Sequence, residues 1–247
     1  MNWNPRQYLQ YEGERLRPAL DLIARIPLTH PSTIVDLGCG AGNVARVLAD
    51  RFPGATIDGV DGDAAMLERA RQTLDGDARF RWTLADLAAW HPPYAVDLLF
   101  SNAALQWLGG HPQLFPQLFA KLAPHGVLAV QMPDNHGAGA VSDLVRRRPV
   151  ADLADYYELL APRARSFDGW RTTYLHVLAA RPDGEHPVVA WLRGSALTPF
   201  TSHLAPPLAE AFVADYAARI EQAYPRRVDG TVLFPFARIF MMVQRGT

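Results

Sequence analysis

Three acids and a run of glycines hold most of the chemistry legible in this chain. Asp36 follows the apolar run Thr33-Ile34-Val35, and Gly38, Gly40 and Gly42 come after it at two-residue spacing. A strand feeding a glycine turn that opens a helix is the first unit of a nucleotide-binding α/β sheet. Glycine tolerates positive φ and admits a ligand where a Cβ would block it, and a helix start offers free N–H groups. A dinucleotide fingerprint needs a glycine where Asn43 stands, which argues against a dinucleotide oxidoreductase. A carboxylate at Asp36 repels a pyrophosphate and suits a cationic ligand.

The other two acids extend the pattern. Asp61 comes 25 positions after Asp36, where an acid binds ribose in this layout, and each carboxylate oxygen can accept from one hydroxyl of a cis-diol. Its alternative, a helix N-cap, is better served by Asp63; Gly62 and Met66 lie beside it. Asp86 at the tip of a third strand suits an adenine amino group, with the Leu87 N–H on a ring nitrogen, or else it caps the turn to Trp90. Asn102, Gln106 and Trp107 follow a fourth strand, at the end where such sheets carry their ligand crevice. Cys39 lies in the glycine loop, but with no histidine near it in sequence it reads as a small loop residue at the cofactor, not a nucleophile.

These side chains need a sheet to hold them. Strands are expected at Ala55–Asp61, Arg79–Leu84, Ala95–Ser101, Val127–Met132 and Asp168–Leu178, with a last, antiparallel-like strand at Thr231–Val243. Helices are expected at Arg15–Ile26, Ala64–Leu74, residues 111–122, Val188–Ser195 and Leu208–Tyr224. His111 and His125 read as helix-cap and turn residues. Trp3, Tyr8 and Tyr11 form an aromatic start, packed on the core or laid as a lid (residues 1–15) over the ligand. Residues 137–165 break the rhythm and read as a cap with no core of its own; its Arg146-Arg147-Arg148 run reads as solvated surface.

Composition narrows the function. The 247 residues carry a formal net charge of −1 with 20% charged residues, which gives no electrostatic case for nucleic acid. The length suits one α/β domain, residues 1–247, with added cap and lid. A single cysteine fits a reducing compartment, and no apolar run approaches the roughly 20 residues of a membrane span. The start of the chain lacks the pattern of a secretory signal, so a cytoplasmic location is expected.

Asp36-Leu37-Gly38-Cys39-Gly40 resembles the S-adenosylmethionine (SAM) motif of class I methyltransferases, in which the acid sits near the methionine ammonium. Further segments resemble the trans-aconitate 2-methyltransferase family across nearly the whole chain: Trp3-Asn4-Pro5…Tyr8, Asn102-Ala103-Ala104-Leu105-Gln106-Trp107-Leu108, Gln131-Met132-Pro133-Asp134-Asn135 and Trp170-Arg171-Thr172-Thr173-Tyr174. Between Asn135 and Tyr156 the chain is shorter than the family pattern. The Asn-Pro-Pro-Tyr type of motif that marks amino-methylation of nucleic acid or glutamine is absent. The resemblance implies a Rossmann-like sheet of seven strands, mostly parallel with one antiparallel, with a helical cap. It also implies methyl transfer from SAM to one carboxylate of trans-aconitate, with S-adenosylhomocysteine (SAH) as product. A methyltransferase on another acid, a phenol or an amine is the alternative, or a SAM-binding protein without catalysis.

The acceptor carboxylate is ionised at neutral pH, so no catalytic base and no metal are expected. A polycarboxylic acid does need cations and donors, since buried unpaired carboxylates are costly. Arg171, Arg238, His136 and His176 are the cationic candidates, with Tyr8, Tyr156 and Tyr174 as donors and Trp3, Gln106, Trp107 and Trp170 as further lining. Strand alternation puts Arg171 with Thr173, and Tyr174 with Thr172 and His176, so at most one set lines the pocket. Arg238 reads equally as a substrate contact or an ion pair at a strand edge. Neither nucleic acid nor membrane is an expected partner, and the chain is expected to be a monomer or weak homodimer.

Overall fold

The computed structural model describes residues 12–74, 76–134, 150–193 and 197–247. Trp3, Tyr8 and His136, named above as substrate residues, lie outside them. In chain order the elements are α1 (Glu12–Ala24), β1 (Thr33–Leu37), α2 (Asn43–Arg51), β2 (Thr56–Asp61), α3 (Ala64–Thr73) and β3 (Phe80–Leu84). There follow β4 (Val96–Asn102), a 3-10 turn (Leu105–Trp107), α4 (His111–Ala120), β5 (Leu122–Pro133) and α5 (Leu153–Leu160). The last are β6 (Ala164–Leu178), α6 (Pro187–Arg193), α7 (Thr198–Thr201), α8 (Pro206–Ala223) and β7 (Val232–Arg245).

The seven strands form one sheet in the order β3-β2-β1-β4-β5-β7-β6. β1 pairs in parallel with β2 and β4, β2 with β3, and β4 with β5, whereas β7 runs antiparallel to β5. The chain winds outward from β1 to β3 and then returns to β4, so the topological switch falls between β1 and β4, where ligands bind such sheets. Mostly parallel with one antiparallel strand, this is the expected sheet. Among the described residues, no helix is long and apolar enough to cross a membrane.

The described residues divide into two compact units, and β6 and β7 each run from one into the other. The larger comprises 16–74, 76–134, 150–172 and 238–247. Its main core packs Val35, Leu37, Leu99, Leu128 and Val130 of the sheet with Leu114, Phe115 and Leu118 of α4, and with Ile239, Met241 and Val243 of β7. The smaller comprises 12–15, 173–193 and 197–237, with a core of Val188, Trp191, Tyr216, Ile220, Val232 and Phe234.

Two boundaries differ from expectation for physical reasons. β5 starts at Leu122, five residues early, because Leu122 pairs with Val96 and a register shift before the Leu98–Val127 pair absorbs the Pro124-His125-Gly126 turn. A Cβ on Gly126 would stand 2.8 Å from the Val96 carbonyl oxygen, so only glycine permits that approach. Within the 137–165 stretch Val150, Tyr156 and Leu160 are buried in the main core, and β6 already begins at Ala164.

Candidate functional site

The site is built at the carboxyl ends of β1 to β5, all within the larger unit. Gly38 leaves β1 with φ +84°, and a Cβ there would lie 2.2 Å from Ala104 Cβ and 3.5 Å from Leu87 Cδ1. The loops after β1, β3 and β4 therefore converge on one point that only glycine can occupy. Gly38 N–H and Cys39 N–H both donate to the Val60 carbonyl, at 2.7 and 3.1 Å, and tie the turn to β2.

Asp61 holds the same turn from the side. One carboxylate oxygen accepts Gly40 N–H at 2.8 Å and the other accepts Asp63 N–H at 2.9 Å. The helix-cap role falls to Asp63, which accepts from Ala65 and Met66 N–H at the start of α3. A carboxylate has about four acceptor positions, so each Asp61 oxygen keeps capacity for one hydroxyl. Asp86 is exposed and one of its oxygens accepts Ala88 N–H at 3.0 Å, the turn bond weighed against the adenine role.

Asp36 is almost fully buried, and its Oδ2 has no hydrogen-bond partner. Burial, then the charge of Asp61, push its carboxyl up to about 7. Burying a carboxylate without a counter-charge is costly, so this oxygen fits a ligand ammonium. Burial, then the charges of Asp36, Asp61 and Asp58, raise the Cys39 thiol far above its usual range, so Cys39 stays protonated and is no nucleophile.

Beyond Asp36 the site changes character. Ladder partners share a face, and the pairs Asp36–Phe100, Phe100–Ala129, Asn102–Gln131, Gln131–Phe240 and Pro133–Arg238 put Asp36, Asn102, Gln131 and Arg238 on one face. From the β3 edge inward, the sheet's lip thus carries Asp86, Asp61 and Asp36, then Asn102 and Gln131, then Arg238. Carboxylates occupy one half; carboxamides and a 4% exposed guanidinium occupy the other.

The carboxamides have atoms to spare. Asn102 Oδ1, Gln106 Oε1 and both polar atoms of Gln131 are buried with no hydrogen-bond partner. Gln106 Nε2 donates to the Ala103 carbonyl at 2.6 Å, and Ala103 N–H donates to the Gln131 carbonyl at 2.9 Å. These bonds hold Ala103 at φ +54°, a left-handed conformation that costs an alanine roughly 1–2 kcal/mol. Gln131 was given no role above; its signal is a lone carboxamide inside the otherwise apolar strand Val127–Met132.

Several expected acceptor residues are placed differently from one another. Trp107 is half-exposed at the lip. Trp170 stacks on Phe240, centroids 4.9 Å apart and planes 4° apart, with the Arg25 guanidinium 4.3 Å from its ring centroid. Arg171 donates to Asp134 at 2.8 Å and Asp152 at 2.7 Å, so two carboxylates of the chain already engage its guanidinium. Tyr156 is corrected from acceptor donor to core residue: it has no exposed surface, and its hydroxyl lies 2.6 Å from His111 Nδ1 and accepts Ala151 N–H at 3.2 Å. Tyr174 and His176 alternate inward on β6 while Arg171 and Thr173 are exposed; both inward rings are buried in the smaller unit, where His176 packs on Trp191.

A family model described as "Methyltransferase domain" matches residues 34–126. A SAM-dependent methyltransferase from Thiobacillus denitrificans, solved with S-adenosyl-L-homocysteine, has TM-score 0.59 at 16% identity, covering 99% of this chain and 100% of that one. A phosphoethanolamine N-methyltransferase from Haemonchus contortus, solved with S-adenosyl-L-methionine, has TM-score 0.59 at 18% identity, covering 94% of this chain and 53% of that one. The fold is that of the class I methyltransferases. Trans-aconitate 2-methyltransferases of Paracidovorax citrulli and Variovorax paradoxus are 45% and 44% identical, each over 99% of both chains. The chain belongs to the trans-aconitate 2-methyltransferase family.

Proposed function

We propose that this protein is a SAM-dependent carboxyl O-methyltransferase that esterifies one carboxylate of trans-aconitate, with the monomethyl ester and SAH as products. The observation that carries the acceptor's identity is the 45% identity to a relative of that name over 99% of both chains. The opposed halves of the sheet's lip support it chemically, since the acids suit a cationic nucleoside and the far half an anion.

Bound SAM supplies an electrophilic methyl group on a sulfonium; everything else is positioning. Asp36 takes the ammonium, and its buried oxygen then gains the counter-charge it lacks. Asp61 takes the ribose hydroxyls while its two backbone bonds keep the glycine turn in place. Asp86 and the Leu87 N–H take the adenine edge, and the lip around Cys39, Asn43, Gly62 and Met66 completes the cofactor wall. Asn102, Gln106 and Trp107 separate cofactor from acceptor. The acceptor is ionised at neutral pH, so the chain's task is to strip its water and align it; such positioning is worth roughly 7–11 kcal/mol. Arg238 supplies positive charge for the carboxylates that do not react.

A turnover assay with SAM and a panel of trans-aconitate, cis-aconitate, citrate and isocitrate tests this. Ester formation on trans-aconitate with matching SAH release is the expected result. Turnover of another acid alone would move the acceptor. SAH binding with no turnover on any acid would leave the fold and remove the reaction.

A further inference from the structure

We infer that Gln131 binds the reacting carboxylate and so selects the acceptor; this rests on the carboxyl-methyltransferase reading. Gln131 is fully buried at the carboxyl end of a central strand, and neither amide atom has a hydrogen-bond partner. A buried amide left unpaired costs free energy comparable to a lost hydrogen bond, so its presence within an apolar strand points to a ligand. Its place on the lip says which ligand. Strands are about 4.8 Å apart, and Gln131 lies two strands from Asp36, on the side away from Asp61 and Asp86. The acids' half is taken by the nucleoside and ammonium, so Gln131 faces the acceptor.

The choice of a neutral amide follows from the reaction. A carboxylate and a sulfonium enter with opposite charges and leave as a neutral ester and a thioether. Charge on the reacting carboxylate therefore falls toward the transition state. A cation paired to that group would stabilise the ground state more than the transition state and slow the step. The Gln131 amide can donate to one oxygen and leave the other free to attack. Cationic help belongs on the carboxylates that keep their charge, and Arg238 lies next along the same face, in register with Pro133.

The test uses Gln131→Met and Gln131→Glu in the intact chain. Met keeps the volume and suits the apolar strand while removing both polar atoms. Steady-state kinetics on the acid that the wild type methylates, together with calorimetric SAH binding, gives the readouts. For Gln131→Met, acceptor KM should rise about tenfold to a hundredfold with SAH affinity unchanged. For Gln131→Glu the loss should be larger at pH 8 and should shrink toward pH 5.5, as the new carboxyl takes a proton and stops repelling the acceptor. Wild-type acceptor KM in Gln131→Met, or an equal loss of SAH affinity, overturns the inference and leaves the reaction standing. A wild-type chain that neither methylates nor, loaded with SAH, binds any acid of the panel overturns both.

Discussion

Asp61 accepts the backbone N–H of Gly40 at 2.8 Å, so the acid that ends β2 is also a strut of the glycine turn that follows β1. Its second oxygen accepts Asp63 N–H, which leads into α3. Asp61→Ala should therefore do two things at once. SAH affinity should fall at least tenfold, and the unliganded protein should lose about 2 kcal/mol, the scale of a hydrogen bond to a charged group. Calorimetry and urea unfolding separate the two; unchanged SAH affinity would remove Asp61 from the ribose.

Asp36 should leave a mark on both stability and binding. In the folded chain its pKa is pushed up to about 7, well above the ordinary range of an aspartate, so the fold binds the proton more tightly than the unfolded chain does. The contribution of this group is undiminished below about pH 4, and stability is lost as pH rises toward 7, on the order of 4 kcal/mol in all. Asp36→Asn should flatten that slope and stabilise the empty protein at pH 8. In the wild type, SAH affinity should climb up to about tenfold per pH unit until pH 7 and then level off, since the ammonium needs the ionised acid. A pH-independent affinity would mean that the ammonium sits elsewhere.

His111 works in the opposite direction. Burial lowers its pKa, and Nε2 lies 3.0 Å from the Leu105 carbonyl while Nδ1 faces the Tyr156 hydroxyl. The neutral ring fits both bonds, with Nε2–H donating and Nδ1 accepting. Stability from this group is present above the unfolded pKa of about 6.5 and is lost as pH falls below it. Tyr156→Phe leaves the Ala151 N–H and His111 Nδ1 unsatisfied, at about 1–3 kcal/mol. Thermal melts should show that loss while acceptor KM stays put; a raised KM with unchanged stability would return Tyr156 to the substrate.

Arg171→Met offers a control for the cationic half of the lip. Its ion pairs to Asp134 and Asp152 are partly solvated, so the loss should be roughly 1 kcal/mol. Acceptor KM should not move. A several-fold rise would mean that trans-aconitate displaces one of the two aspartates.

The strand ends and turns that carry the candidate site were legible because they are written in short-range chemistry. Asp63 caps α3 as its place before Ala64 foretold, and the alternating aromatic run of β7 marked an antiparallel strand before any partner was known. Gln131 showed only as one amide in an apolar strand; nothing local says that its amide goes unpaired. Tyr156 and Arg171 looked like substrate donors because a sequence does not reveal that His111, 45 positions away, or Asp134, 37 positions away, has already claimed them. The early start of β5 was hidden for a similar reason: Leu122 becomes a strand residue only by pairing with Val96.

The place of β7 in the sheet has a consequence for how the protein is made. It sits between β5 and β6, although both precede it in the chain, and it pairs Arg238 with Pro133 across more than a hundred residues. On the ribosome, β5 must wait with one edge open while all of that intervening chain is synthesised. Such a high contact order slows folding and leaves an apolar strand edge available to other nascent chains. Chaperone dependence should therefore be governed by the last strand, and weakening the β5–β7 pairing should lower soluble yield before it lowers the activity of the molecules that fold.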